Sequence, residues 1–334
     1  MTPTLAKLAE TAPPIIDRVQ RDKLLRLSNV NLRRNGRSVL DNVSFELMQG
    51  ETLGLVGESG AGKSTIALAA IGLLQGAGID LAGEIRFADH GNLLELAESE
   101  WAKLRGRQIG MIFQDAASAL NPSYNVGRQL GDPLRRLLGL SRPDARRRSI
   151  ELLESVGLND AEARLKAFPH ELSGGMQQRV MIAIALACNP VLLLADEPTS
   201  ALDVTIQAQI MQLILNQTRT RGASCIFVLH DLALASQTCD RIVVLYAGQV
   251  MERGNADVVL RRPLHPYTQA LKSCVIELDT VTLTPPVGGI PSLDGMPQGC
   301  RFAPRCPRAT AKCAAFTPPL QSLEGRHVAC WHPG

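Results

Sequence analysis

From Leu24 the chain alternates apolar and polar positions until Asn35-Gly36, a pair that favours a tight hairpin turn. A second alternating run spans Asn42 to Met48, and a short apolar strand is predicted over Thr52 to Val56. A glycine-rich turn follows, then a helical stretch from Ser64 to Leu74. Together they predict one strand–loop–helix unit of an α/β domain. The middle of the chain, roughly Asn121 to Leu186, reads as mostly helical. Within it, Asp144 to Val156 carries apolar residues at helical spacing, with Asp144 as the expected N-cap. Val191 to Ala195 and Cys225 to Leu229 are continuous apolar runs, as expected of strands buried on both faces of a parallel sheet. Thr205 to Arg219 supplies a helical crossover between them. Beyond about Ser273 proline, glycine and cysteine become more frequent and the periodicity fades, which predicts a domain boundary.

Composition narrows the options only modestly. With 45% hydrophobic and 20% charged residues in 334, the chain reads as globular, with one large domain or two unequal ones. A net charge of +3 and 4% aromatics argue against nucleic acid as a partner. No apolar run approaches the roughly twenty residues of a membrane-spanning helix. Met1 to Arg21 holds prolines and charges rather than the apolar core of a signal peptide. The expectation is a cytosolic protein that reaches any membrane through other chains.

Three motifs carry chemistry. Gly57-Glu58-Ser59-Gly60-Ala61-Gly62-Lys63-Ser64-Thr65 fits the phosphate-loop pattern between a strand and a helix. Glycines there let backbone N–H groups curl around phosphates, and the helix N-terminus adds positive partial charge. Lys63 would reach the β- and γ-phosphates, and the Ser64 hydroxyl would bind Mg²⁺. Second, the strand ending in Asp196-Glu197 delivers two carboxylates to its carboxyl end. Asp196 would hold Mg²⁺ and Glu197 would act as general base. Two acids after a strand are common by chance, and the phosphate loop upstream gives them meaning. Third, Leu172-Ser173-Gly174-Gly175-Met176-Gln177-Gln178 opens a helix whose N-terminus, capped by Ser173, is a second anion site.

With these motifs in order, residues 24–254 resemble the ATP-binding cassette (ABC) family. The resemblance implies an α/β fold: a P-loop ABC-ATPase core with an antiparallel β subdomain and a helical subdomain, plus a small cysteine-containing C-terminal region. It divides the chain into an arm (1–23), a nucleotide-binding domain (24–272, helical part about 115–185) and a C-terminal region (273–334). Leu172 to Gln178 would be the signature motif, which contacts ATP held by a facing subunit through Ser173, Gly174, Gly175 and Gln177. Gln114 resembles the Q-loop glutamine, touching Mg²⁺ and the attacking water. Asp203, in Ser200-Ala201-Leu202-Asp203, resembles the D-loop aspartate, and His230 the switch histidine; a lone histidine after a strand is otherwise usually structural. One feature departs from the family. The position of the aromatic residue that stacks on adenine falls near Arg34, with no Tyr or Phe nearby, although a guanidinium can also stack on a base.

Pro169-His170-Glu171, Pro263-Leu264-His265-Pro266-Tyr267 and Gly299-Cys300-Arg301-Phe302-Ala303-Pro304-Arg305-Cys306-Pro307 resemble the oligopeptide/dipeptide branch, whose relatives also import nickel, opines or glutathione. That branch implies ATP and Mg²⁺ as cofactors and location at the cytoplasmic face of the inner membrane. It also implies two membrane permeases, a second related ATPase in a heterodimer, and an external solute-binding protein. An exporter ATPase or a soluble ABC ATPase are the other readings.

Of eight cysteines, Cys188, Cys225, Cys239 and Cys274 are scattered and read as reduced structural thiols. Cys300, Cys306, Cys313 and Cys330 follow C-x5-C-x6-C-x16-C. Four thiols in an apolar-poor segment suggest a metal in place of a core, with zinc, free thiols or disulfides as alternatives. Similar tails are associated with a [4Fe-4S] cluster.

Overall fold

The structure is a computed structural model that describes residues 22–200, 204–274 and 288–334. Two strands, β1 (Lys23–Arg34) and β2 (Arg37–Met48), pair antiparallel. The turn between them uses Asn35 and Gly36 at φ 51° and 77°, the left-handed pair that matches strand twist in a two-residue hairpin. β3 (Thr52–Val56) leads into α1 (Lys63–Ala70). The helix stops short of the expected Leu74 because Gly72 turns left-handed at φ 67°, and a Cβ there would come within 2.3 Å of the Trp101 ring. β4 (Ile79–Phe87) returns to pair antiparallel with β1, completing a three-stranded sheet.

Helix α2 (Glu98–Leu104) and strand β5 (Ile109–Ile112) precede the helical part: α3 (Ala116–Ala119), α4 (Val126–Leu138), α5 (Arg142–Ser155), α6 (Ala161–Arg164) and α7 (Gly174–Leu186). The N-cap of α5 is Ser141, not Asp144. Its hydroxyl accepts from the Asp144 N–H at 3.2 Å, which leaves Asp144 inside the first turn. The rest of the cassette is β6 (Leu192–Asp196), α8 (Val204–Thr220), β7 (Ser224–Leu229), α9 (Leu232–Thr238), β8 (Arg241–Tyr246), β9 (Gln249–Asn255), α10 (Ala256–Arg261) and α11 (Pro266–Ser273). The tail adds α12 (Ala311–Ala315), β10 (Gln321–Leu323) and β11 (Arg326–Val328).

The main sheet runs β10-β11-β9-β8-β3-β7-β6-β5. Strands β8, β3, β7, β6 and β5 are mutually parallel, so their carboxyl ends share one edge. Their continuous apolar runs are split between two cores by strict alternation. Leu53, Leu55, Leu192, Leu194, Ile226 and Val228 face the three-stranded sheet, α1 and α2. Val56, Leu193, Ala195, Cys225, Phe227 and Leu229 face the helices from α3 to α9. The mixed architecture of antiparallel sheet, parallel sheet and helical part is the expected fold class. No helix among the described residues is long and apolar enough to cross a membrane.

The tail is knitted into this body. β11 pairs with β9, and Arg326 meets Glu252 at 3.4 Å with both side chains buried. Glu252 also accepts the Leu264 N–H at 3.0 Å and the His265 N–H at 2.9 Å, so the buried carboxylate is saturated with donors. Burial nonetheless holds its pKa above the ordinary glutamate value. Arg301 reaches across to Asp41 at 2.9 Å and Ser38 at 3.0 Å.

Candidate functional site

The loop between β3 and α1 sits at the shared carboxyl edge of the parallel strands, the place where open α/β sheets hold ligands. Gly57 has no room for a side chain, since a Cβ would fall 2.2 Å from the Leu245 carbonyl oxygen. Gly62, the residue before α1, has φ 98°, and a Cβ there would lie 2.8 Å from Leu40. The loop is thereby held close to its walls. Lys63 is only 4% exposed. Its Nζ donates to the carbonyls of Gly57 at 2.7 Å and Glu58 at 3.0 Å. Burial pulls its pKa down, against the nearby carboxylates of Glu197, Asp196 and Glu58.

Ser64 Oγ donates to Asp196 Oδ1 at 2.8 Å. Burial raises the Asp196 pKa, and the Ser64 hydrogen bond works the other way. This paired hydroxyl and carboxylate beside the loop is an all-oxygen donor set suited to Mg²⁺. Glu197, just past β6, has φ 45°, a left-handed conformation that costs a non-glycine residue of the order of 1 kcal/mol. Its carboxylate takes the Gln114 Nε2–H at 2.9 Å on one oxygen and His230 Nε2 on the other. His230 Nδ1 lies 3.2 Å from Lys63 Nζ. An ammonium has only protons to give, so Nδ1 is the acceptor and Nε2 carries the hydrogen donated to Glu197. Lys63, His230, Glu197 and Gln114 form one connected chain.

These side chains open on a cavity of about 840 Å³. Its lining includes Ser59, Gly60, Gly62, Lys63, Ser64, Thr65, Gln114, Glu197 and His230. That volume falls in the range of small-molecule sites. Tight glycines, a buried lysine at a helix start and the Ser64–Asp196 pair fit the triphosphate and Mg²⁺ of ATP. Arg34, the position expected near the base, lines the same cavity.

Ser173, Gly174, Gly175 and Gln177 stand apart from that cavity. Ser173 caps α7, its hydroxyl accepting the Met176 N–H at 3.4 Å. A Cβ at Gly174 or Gly175 would meet nothing within 4 Å, so both leave backbone open to an approaching molecule. Gln177 turns inward instead, donating to the carbonyls of Pro169 at 2.8 Å and Leu172 at 3.2 Å. Its amide nitrogen thereby braces the loop. Asp203, with Ala201 and Leu202, lies outside the described residues.

Sequence reasoning missed two supports of the phosphate loop. The Glu58 N–H donates to the Tyr267 hydroxyl at 2.9 Å. The Glu58 carboxylate pairs with Arg305 Nη1 at 3.1 and 3.0 Å. Both residues lie inside the stretches that mark the peptide-importer branch, but nothing in their spacing shows that they reach the loop.

All eight cysteines are free thiols. Cys300, Cys306, Cys313 and Cys330 line one small cavity with His265, Trp331 and His332. Burial pushes Cys300 up to about 11 and raises Cys306 and Cys330. The cavity measures about 10 Å³, room for one water. Among the described residues no group of three or more His, Cys, Asp or Glu side chains stands in a metal-holding arrangement. The expected cluster therefore finds no support in this geometry.

Comparison with known proteins agrees with this geometry. Residues 40–200 match the ABC transporter family, and residues 251–313 match the oligopeptide/dipeptide transporter C-terminal region. The chain is 44% identical over 296 residues to the oligopeptide transport ATP-binding protein AppD of Bacillus subtilis, covering 87% of this chain and 90% of that one. It is 43% identical over 331 residues to OppD, the oligopeptide transport ATP-binding protein of Escherichia coli, covering 97% of each. Among solved structures, the ATP-binding cassette MJ0796, a dimer bound to ADP and Pi, superposes with a TM-score of 0.62 at 31% identity, over 70% of this chain and 99% of that one. A buried phosphate loop, a serine–aspartate pair and a Gln–Glu–His chain on one cavity, in a fold shared with such cassettes, mark this chain as a member of the ABC transporter ATP-binding family, in its oligopeptide/dipeptide branch.

Proposed function

We propose that this chain is the ATP-hydrolysing subunit that powers an importer of di- or oligopeptides, working at the cytoplasmic face of the cell membrane. The observation that carries this reading is the convergence of Lys63, the Ser64–Asp196 pair and the Gln114–Glu197–His230 chain on one nucleotide-sized cavity. The phosphate loop from Gly57 to Thr65, through backbone amides not already engaged within the protein, and Lys63 bind the phosphates. Ser64, Asp196 and Gln114 would hold Mg²⁺, which neutralises phosphate charge when bound. Glu197 accepts the proton of the attacking water, and His230 and Gln114 fix its carboxylate. Catalysis of this kind is mainly positioning and charge stabilisation.

Ser173, Gly174 and Gly175 serve the site of a facing ATPase subunit, for which their exposed backbone is suited. Two permeases, an external solute-binding protein and a second, related ATPase complete the assembly. The relatives' names, oligopeptide and dipeptide transport ATP-binding proteins, support peptides as cargo over nickel, opines or glutathione.

The test has two parts. Lys63→Ala should abolish MgATP binding or turnover, and retained activity would sink the phosphate-site assignment. Reconstituted with its permeases and binding protein, the wild-type protein should hydrolyse ATP faster when di- or oligopeptides are supplied. Stimulation by nickel alone would reassign the cargo. For the tail, a thiolate-held [4Fe-4S] cluster would need Cys300, Cys306, Cys313 and Cys330, which line one cavity, to take up a metal-holding arrangement that the described residues do not show. Iron and sulfide in protein purified without oxygen would support it, and iron-free protein would set it aside.

A further inference from the structure

Lys63 and Ser64 mark where phosphates go, and Glu197 and His230 mark where the γ-phosphate is attacked. The base of a nucleotide must therefore occupy the remaining part of the cavity. That part is mostly apolar, and much of it comes from the C-terminal tail: Ile290, Pro291, Leu293 and Met296 line it with Val39, beside the polar Arg34, Gln75 and Ser292. Among the described residues, no Phe, Tyr or Trp lines this cavity. Ile290 packs against both hydrophobic cores. Its Cδ1 also lies 4.0 Å from where a Cβ on Gly60 of the phosphate loop would stand. Met296 packs against the core on the helical face. The segment is pinned at two points. Asp294 pairs with Arg37 of β2 at 2.6 Å, and downstream the Cys300 N–H donates to the Cys313 carbonyl at 2.8 Å.

We propose that residues 290–296 are the base-side wall of the nucleotide site, their apolar side chains holding the faces of a purine in place of a stacked aromatic residue. The two faces of a purine ring are poorly hydrated, and apolar contact on them is favourable whatever its source. Branched and thioether side chains supply that contact without the geometry of a stacked ring. Arg34 adds a planar cation that can lie against the ring. A wall of this kind recognises the ring faces more than the ring edge. It predicts weak discrimination between ATP and GTP, because their differing groups lie on the edge. It also links two parts of the chain far apart in sequence, since the tail would complete a pocket begun by the hairpin of β1 and β2.

This inference rests on the ATP-site reading above, and the experiment separates the two. Isothermal calorimetry on the full-length protein would compare MgATP, MgGTP and magnesium tripolyphosphate, which carries the phosphates without a base. The variants are the Ile290→Ser/Met296→Ser double substitution and Leu293→Ser. Leu293 is 39% exposed, so its substitution leaves the core intact if the double variant fails to fold. The double variant should bind ATP about tenfold more weakly and Leu293→Ser about threefold, with tripolyphosphate affinity unchanged in both. Wild-type ATP and GTP affinities should agree within about fivefold. Unchanged or tighter ATP binding in the variants would overturn the proposal, because the segment would then be a bystander or an obstruction. Equal weakening of ATP and tripolyphosphate would also overturn it, since the effect would lie on the phosphate loop. If the wild-type protein bound neither ATP nor tripolyphosphate, the ATP-site reading would fail instead.

Discussion

Replacing Arg305 should weaken nucleotide binding although the residue lies 247 positions from the loop it supports. Its Nη1 stands 3.1 and 3.0 Å from the two Glu58 carboxylate oxygens and 3.3 Å from the Tyr246 hydroxyl. The guanidinium is 7% exposed, and its carbon lies 5.6 Å from the centre of the Tyr246 ring. Hydrogen bonds to charged groups contribute about 1.5–3 kcal/mol each. The Glu58 side chain is 26% exposed, so water recovers part of what Arg305→Ala removes, leaving a loss of about 1–2 kcal/mol. The freed carboxylate also stands in the phosphate loop, where it repels an incoming anion. ATP affinity should therefore fall by about five- to thirtyfold.

Calorimetry of MgATP binding at fixed salt reads this directly, with the melting temperature as a check on folding. A structural role alone would lower the melting point and leave affinity untouched. The decisive readout is a double-mutant cycle: Glu58→Gln removes the stray charge, so Arg305→Ala in that background should cost about 1–2 kcal/mol less in binding than in the wild type. Arg305→Lys should recover part of the affinity because it keeps the charge but not the shape of the guanidinium. Additive effects, or wild-type affinity in Arg305→Ala, would refute the tail's role in holding the loop.

Two further outcomes follow from buried groups. His265 caps α11, its Nδ1 accepting the Tyr267 N–H at 3.0 Å, and burial lowers its pKa to about 3. The unfolded chain takes up that proton below about 6.5 and the folded chain does not, so stability is full above 6.5 and falls by about 1.4 kcal/mol per pH unit as pH drops toward 3. Chemical denaturation at pH 7, 6 and 5 should show this slope reduced in His265→Asn, which keeps a cap without the titration; identical slopes would refute it. Gly57→Ala should fold yet lose ATP binding, because its Cβ would fall 2.2 Å from the Leu245 carbonyl and displace the loop; equilibrium dialysis showing wild-type affinity would refute that.

What the sequence makes legible here is local. The phosphate loop announces itself because glycines, lysine and serine must be contiguous to wrap an anion. The parallel strands do so because burial on both faces demands unbroken apolar runs. The cap of α5 lies three residues before the expected Asp144 because Ser141 and Asp144 are both good caps, and Pro143 fits inside a first turn. The end of α1 falls short of the expected Leu74: Leu73 and Leu74 continue the apolar composition past Gly72, where the chain turns. Leu73 and Leu74 line the nucleotide cavity instead. The contacts of Glu58 with Tyr267 and Arg305, and those of the tail with the cavity, leave no periodic trace, since they join residues more than two hundred positions apart. Gln177 illustrates the opposite limit: a motif fixes a residue's type but not the direction of its side chain, and here the amide turns into its own loop.

The central claim is that Glu197 accepts a proton from water at an ATP site built by Lys63, Ser64 and Asp196. Glu197→Gln keeps the side chain's shape and its place beside Gln114 but removes the charge and the proton acceptor. MgATP affinity and steady-state hydrolysis should be measured on this variant and the wild type together. The account predicts affinity within about threefold of wild type and hydrolysis slower by at least about a hundredfold. Hydrolysis at the wild-type rate, with ATP still bound, would contradict it.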